Sequence, residues 1–474
     1  MSKISAMMDV GKRSLVNSQT KLQTVAHNIA NKSTEGYSRQ RVEQLSNVPL
    51  GDGRVRIGMG ARAAQVSRVN NSYLEKQIAG EGAKLGMLSQ KDELMGRVEE
   101  VFNEQINKGL NHYMAQFFNA FRDLSASPES MANRTLIREN AISLANDFRR
   151  VRQSLVDIQK DIDQRLAQHV DEINRYTREI AELNEKVQMV EAQGVPANDE
   201  RDRRDLLVKK VLEKTNAKVN ENRDGHIAVT AGDSALLVSG YEHRELAVTP
   251  TAEDGAKRSG NFAIVYHYNP DSDVFAVTPQ ITSGEMGGLL QVRDVVINDL
   301  IDKVDTMAHT LVSEVNRAHR EGFDRYNQNN IDFFEPSFDQ RDAAALIKLN
   351  GEVNRDVGKI AAAAVPGAPG DNRIANIIAN IQQQRSLNEG QDTLDDYYRS
   401  LVGQIGVIAR TNRLGHAAQK DIYDQLTNIR ESVSGVSLDE ETANMIEFQK
   451  TYDASARLIR TADEMFDTVL SLKR

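Results

Sequence analysis

Apolar residues fall on two regular seams, one at each end of the chain. Over residues 1–31, Ile4, Met8, Gly11, Leu15, Ser18, Leu22, Val25 and Ile29 recur in steps of four and three, the heptad spacing of one helix face. Gly11 and Ser18 lie in that seam, where small side chains let a second helix come close. Asn28, Asn31 and Gly36 are expected to end the helix. At the other end, Leu438, Thr442, Met445, Gln449, Tyr452, Ala456, Ile459, Asp463, Phe466 and Leu470 keep the same rhythm. Ser437 reads as an N-cap, with Glu440 completing a capping box. Both ends are therefore predicted as long amphipathic helices.

Residues 89–192 are strongly helical in pattern. The stretch from Leu155 to Val190 repeats in threes and fours and predicts a rod of roughly 50 Å at 1.5 Å per residue, stopped at Gly194 and Pro196. Near Val219 the period changes. HIAVTAGDSALLVSG, ELAVTP, NFAIVYHY and DVFAVTP are short β-rich runs split by Gly, Asp, Asn and Pro, as in a small antiparallel domain. Helical periodicity resumes at about Gly288 and continues through Asn316. PGAPGD (366–371) reads as a loop or hinge, and a helical segment (392–432) leads into the C-terminal seam. The expected fold is mainly α with an inserted small β domain, the N- and C-terminal helices paired in a coiled coil and a long-helix bundle next to it. Its expected units are a terminal coiled coil (1–60 with 431–474), a helical rod domain (61–214 with 286–430) and the β domain (215–285).

Composition narrows the chemistry. A length of 474 residues suggests about three domains at roughly 150 residues each. Hydrophobic residues make up 40%, charged 27% and aromatic 5%, with no Trp, so the core must be largely aliphatic. The absence of Cys excludes disulfide scaffolds, zinc fingers, thiol catalysis and iron–sulfur ligation. A net charge of −9 without a long block of like charge argues against a nucleic-acid partner. No run of about 20 apolar residues exists to span a bilayer. In MSKISAMMDVGKRSLVNSQTK, Asp9, Lys12 and Arg13 interrupt any secretory signal, so export would need a route without a cleaved signal peptide.

Four candidate motifs are outweighed by simpler readings. Gly58-x-Gly60-x-x-Ala63 is a loose dinucleotide fingerprint, but a helical segment is expected before it and no parallel-sheet pattern follows. Ser18-x-x-Lys21 lacks the companion motifs of a serine hydrolase and sits in an apolar seam. None of the nine His forms a zinc-helix pair, so surface or satisfied core histidines are expected. DERDRRDLLVKK (199–210) reads as a solvated, ion-paired helix face. No catalytic residue, metal site or cofactor is expected.

Two segments carry a resemblance. HNIANKSTEGYSRQ (27–40) resembles the N-terminal signature of the axial proteins of the bacterial flagellum, that is, rod, hook and hook-associated proteins. GVSLDEETANMIEFQKTYDASARLIRTADEMFDTVL (435–470) resembles their C-terminal signature. Arg39-Gln40 after Gly36-Tyr37-Ser38 is more like the hook-associated family of the first hook–filament junction than hook or rod proteins. LSASPESMANRTLIRENAISLANDF (124–148), NDERDRRDLLVKKV (198–211), ITSGEMGGLLQVRD (281–294) and EVNRAHREGFD (314–324) resemble that family in the same order. Two departures stand out. RYNQNNIDFF reaches Phe333-Phe334 without the two Gly usual in the family, which leaves the course of loop 325–334 open. The β insertion is also short.

The resemblance implies a structural, self-assembling component of the flagellum outside the cell. It implies export through the flagellar type III route and a small export chaperone on the C-terminal helix. The implied partners are further copies of itself, hook protein and the second junction protein. Assembly would use Ile4, Met8, Leu15, Leu22, Val25 and Ile29 with Leu438, Met445, Tyr452, Ala456, Ile459, Phe466 and Leu470, the latter set also meeting the chaperone. Asn28, Asn31, Gly36, Tyr37 and Arg39 would shape the turn after the first helix. The helices at both ends are expected to fray in a free monomer, because an isolated amphipathic helix buries little. The rival readings are another flagellar axial protein (hook protein or second junction protein) and a secreted helical effector or adhesin.

Overall fold

A computed structural model describes residues 2–49, 58–103, 108–222, 225–250, 261–267, 274–336 and 339–471. The chain begins with helix α1 (Ser2–Ala30) and an antiparallel hairpin, β1 (Gln40–Ser46) and β2 (Ala61–Arg68). The hairpin was not expected from the sequence. Its strands bury little, and backbone pairing together with α1 holds it in place. Gly58 and Gly60 lead into β2, antiparallel to β1, so among the described residues no helix opens on this Gly pattern as a dinucleotide site requires.

The strongly helical stretch 89–192 is divided among three helices: α2 (Ser72–Val101), α3 (Leu110–Ala126) and α4 (Met131–Glu191). The break before α4 has a local cause. Pro128 offers no N–H and pushes its predecessor out of helical geometry, and the Ser130 hydroxyl accepts from Asn133 N to start α4. α4 is 61 residues long, or about 90 Å at 1.5 Å per residue, well beyond the expected rod. Its first turns carry α3, whose Phe117, Phe118 and Phe121 are fully buried.

Helix α5 (Asn198–Lys214) turns back along α4. Two small antiparallel sheets follow. One has β3 (Lys218–Glu221), β4 (Ile227–Ala231), β5 (Ala235–Ser239) and β6 (Glu242–His243). The other has β7 (Leu246–Pro250), β8 (Phe262–His267) and β9 (Val274–Ala276). Two asparagines of α4 clip them down. Asn184 accepts from Ile227 N at 3.1 Å and donates to Ile227 O at 2.9 Å and Gly240 O at 2.8 Å. Asn174 accepts from Leu246 N at 2.9 Å and donates to Leu246 O at 2.8 Å. Each amide replaces a missing strand partner, as buried backbone groups require.

The return path is α6 (Gly284–Gln291), a π-helical turn (Val292–Ile297) and α7 (Asn298–Glu321), beginning four residues earlier than expected. The π turn, a distortion common at special contacts, presents Arg293 to Asp163 of α4 and to Phe262 O of β8 at 2.8 Å. Burial pushes the Asp163 carboxyl upward, against the pull of Arg293. Short helices α8 (Ala343–Leu346), α9 (Gly351–Arg355) and α10 (Arg373–Asn380) precede α11 (Leu394–Ser434) and α12 (Leu438–Ser471).

Loop 325–334 has a defined course. Asn327 and Asn330 take left-handed φ of 61° and 59°, a region asparagine tolerates better than most residues, so the glycines usual in the family are not needed. Asn316 accepts from Phe333 N and Phe334 N at 3.0 and 2.8 Å. Both rings are buried against Phe117, at centroid distances of 5.7 and 5.9 Å. His319 is a satisfied core histidine: Nδ1 donates to Ile331 O at 2.7 Å and Nε2 accepts from Ala361 N at 2.9 Å.

Candidate assembly interface

The two ends of the chain pack on each other as an antiparallel pair. Ser14 Oγ meets Ser455 Oγ at 2.7 Å, the Lys21 ammonium lies 4.8 Å from the centre of the Phe448 ring, and Asn28 Nδ2 donates to Glu441 Oε2 at 3.2 Å. Each step of seven up α1 is matched by a step of seven back along α12. At Gly11, a Cβ would stand 2.7 Å from Ile459 Cγ1 and 2.9 Å from Leu458 Cδ2. The helices therefore approach closely on small and polar residues.

Gly11 and Ile459, both in the predicted seams, thus face each other, and the other close contacts fall on positions beside the large apolar residues. The row facing α12 includes Gly11, Ser14, Lys21 and Asn28. Ile4, Met8, Leu15, Leu22 and Ile29 lie half-buried at its flank, and Val25 is buried. On α12 the buried residues are Glu441, Ser455 and Ala462, and Phe448 is half-buried. Met445, Ala456, Ile459 and Phe466 are half-buried, while Leu438, Tyr452 and Leu470 are exposed. Ser18 is buried in the packed helix, in keeping with a packing role. The other side of α1 holds the hairpin: Asn17 donates to Ala61 O at 2.6 Å and accepts from Ala63 N at 2.7 Å.

The turn after α1 is the anchor of the site. Asn31 closes the helix by donating to His27 O at 3.1 Å. Gly36 takes a φ of 81°, with Leu206 Cβ only 3.0 Å from where a side chain would begin, so both conformation and space favour glycine. Asn28 uses its whole amide. Its oxygen accepts from Tyr37 Oη at 2.7 Å and Gln40 N at 2.9 Å, and its nitrogen donates to Gln40 O at 2.9 Å as well as to Glu441. Arg39 pairs with Glu441 Oε1 at 2.7 Å and Glu440 Oε2 at 2.8 Å, while its amide donates to Ser434 O at 3.0 Å. Glu440, read as half of a capping box, thus has its carboxylate on Arg39. Burial, then Asp199, Asp202 and Glu441, push the Tyr37 phenol well above its ordinary range, so it stays a donor.

The charged face of α5 completes this node: it carries the ion pairs expected of it, but Asp202 and Arg204 are buried rather than solvated. Asp199, Asp202 and Asp205 repeat every three residues and point one way. Asp199 accepts from Gln40 Nε2 at 2.7 Å. Asp202 accepts from Ser38 N at 2.8 Å and holds Arg68 at 2.7 Å, and Asp205 holds Arg68 at 2.9 Å. Arg204, on the other side, is buried and donates to Asn184 Oδ1 at 3.0 Å and Gly225 O at 2.7 Å. The three-residue spacing of the aspartates was the available signal, and the burial of Asp202 was not legible from charge alternation. The node joins α1, the start of α12, β2 and α5, and its groups form ion pairs and hydrogen bonds with each other. Among the described residues no cluster of His, Asp and Glu is arranged to hold a metal ion, and no described helix is long and apolar enough to cross a membrane.

Comparison with known proteins follows this division. Residues 95–334 match the family described as "Flagellar hook-associated protein FlgK helical domain", and residues 431–472 match "Flagellar basal body rod FlgEFG protein C-terminal". The chain is 27% identical to flagellar hook-associated protein 1 of Bacillus subtilis, over 98% of this chain and 97% of that protein. It is 24% identical to the Escherichia coli protein of the same name, over 99% and 100%. The structure of the flagellar hook junction protein FlgK from Burkholderia pseudomallei covers 76% of this chain and 100% of its own, with a TM-score of 0.67 at 15% identity, a likeness of fold. With a helical-domain match over half its length and a separate match on its last helix, the chain belongs to the flagellar hook-associated protein 1 (FlgK) family and is a structural protein of the hook–filament junction.

Proposed function

We propose that copies of this chain join hook to filament by laying the flanks of their terminal helices against neighbouring subunits. One observation carries the reading. The α1–α12 pair closes on small and polar residues, so its large apolar side chains, Leu15, Leu22, Ile29, Leu438, Tyr452, Phe466 and Leu470, stay half-buried or exposed. Burying such rows between subunits contributes about 1.5–3 kcal/mol per large side chain, enough for several together to drive assembly. On this reading the unit formed by 1–60 with 431–474 is the assembly core, and hook protein and the second junction protein meet its ends. The pair holds few large buried side chains of its own, so it opens before the bundle does. Limited proteolysis of the free chain is expected to trim both ends and leave roughly residues 60–430.

Substituting Leu22→Asp or Ile459→Asp is expected to leave the melting of the bundle unchanged and to block incorporation at the hook tip. Normal filaments in such strains would reject the reading. A deletion strain should keep its hooks, lack filaments and shed filament subunits into the medium. We also propose export without a cleaved signal peptide, with a small chaperone covering 438–470 by helix-in-groove binding. Removal of 435–474 should abolish its capture in a pull-down, and retained capture would move the docking site elsewhere.

A further inference from the structure

α11 packs one face on α2, through Tyr398, Leu401, Ile405, Ala409 and Asn412. Its opposite face carries a second apolar row, Val407, Leu414, Ile422 and Ile429, which are 66%, 63%, 46% and 43% exposed. Their spacing of seven, eight and seven is that of a helix-accepting stripe. The upper half of this row is set in positive charge. From Tyr397 to Lys420, Arg399, Arg410, Arg413 and Lys420 appear with no Asp or Glu. Arg413 has Glu99 at 3.5 Å and Asp92 at 3.9 Å. Among the described residues, Arg399, Arg410 and Lys420 are in no salt bridge.

The complementary surface is on the same chain. From Thr461 to Leu472 the only charged residues are Asp463, Glu464 and Asp467, and among the described residues these three also form no salt bridge. Beside them Met465, Val469 and Leu470 are exposed. One chain does not bring the two surfaces together, because α12 is packed on α1 and α11 on α2. Val469 lies about 46 Å of helix beyond Leu438, and Leu414 lies about 30 Å of helix before Ser434.

We infer that the acidic, apolar end of α12 in one copy docks on the basic, apolar row of α11 in a neighbouring copy. This rests on assembly through the terminal helices and names the surface that receives one of them. The row thereby gains an apolar cover, and opposite charges fix which segment provides it.

The absence of cysteine gives a direct test on the full chain. One population carries Leu414→Cys and a second Val469→Cys, and the two are mixed under assembling conditions and oxidised. The mixed disulfide is expected in excess over both symmetric ones. Glu464→Arg with Asp467→Arg should lower its yield about tenfold at low salt, and Arg410→Glu with Lys420→Glu on the other population should restore it. Predominance of the symmetric species, yields insensitive to charge reversal, or a mixed product that forms only when another axial protein or a chaperone is added would each overturn the inference. If Leu22→Asp blocks incorporation while Arg410→Glu with Lys420→Glu does not, the terminal reading stands and this docking falls. If Leu22→Asp incorporates normally, the terminal reading itself falls.

Discussion

Asn28 and Glu441 stand 413 positions apart in the chain and share a 3.2 Å hydrogen bond, with each residue only 1% exposed. The bond fixes the register of the terminal pair. A slip of one turn would leave the amide and the carboxylate buried without partners, at about 1–3 kcal/mol for the former and more for the latter. Asn28→Leu is therefore expected to destabilise the terminal pair by about 3 kcal/mol and to leave the bundle unchanged. Hydrogen exchange resolved by segment checks this, with protection lost in 2–46 and 438–471 and retained in α4.

Arg39 is the counter-charge that makes a buried Glu441 tolerable. Arg39→Ala leaves that carboxylate uncompensated, at an expected cost of about 3–5 kcal/mol to the terminal pair. The double variant Arg39→Ala with Glu441→Gln should recover much of the loss, and a double-mutant cycle on the melting of the ends measures the coupling.

Gly11 tests the close approach. Alanine would favour the helix by about 1 kcal/mol, yet its Cβ would meet Ile459 Cγ1 at 2.7 Å. Net destabilisation of about 1–2 kcal/mol is expected, relieved when Ile459 is also reduced to Ala. A gain in stability from Gly11→Ala alone would show that the helices sit further apart.

His319 should give the bundle an acid-side dependence. Burial lowers its pKa from 6.5 to about 4, with Arg134 adding to the effect and the Ile331 carbonyl, Asp332 and Asp324 opposing it. The unfolded chain thus binds a proton first as pH falls, so stability is complete above about pH 6.5 and declines down to about pH 4, by about 3 kcal/mol in all. Denaturant melts at pH 7, 5.5 and 4.5 read the slope. His319→Gln should be less stable at every pH and lack this part of it.

Asn330 holds a left-handed φ where the family usually has glycines nearby. Asn330→Ala should cost about 1 kcal/mol, while Asn330→Gly should be near neutral. Equal effects on Tm would show that the loop relaxes to another course.

The helical frame was legible because long apolar periodicities leave little freedom: α11, α12 and the long C-terminal part of α4 lie close to where the pattern puts them. The seam was legible in part: Gly11 and Ile459, both in the predicted rows, face each other, while the remaining close contacts fall on neighbouring positions. Pattern reading rewards Leu15, Leu22, Met445 and Phe466 and passes over Ser14, Ser455 and Ala462, on which the intramolecular contact also closes and whose virtue is small size. The β1–β2 hairpin stayed hidden because its strands are mostly exposed and owe their place to Asn17 rather than to an apolar face. The anchoring role of α5 was masked by composition, since Asp202 and Arg204 look like solvent-facing charge until Ser38, Arg68 and Asn184 are brought to them.

α4 runs unbroken from the phenylalanine cluster at one end to the two clipped sheets at the other. A bend or twist imposed near Phe117 and Phe333 has no intervening loop in which to dissipate along this helix, and reaches Asn174 and Asn184 through covalent geometry and stacked peptide bonds. Among the described residues this 61-residue helix is the longest continuous strut of the subunit, and it couples the aromatic cluster to the sheets without a hinge between them.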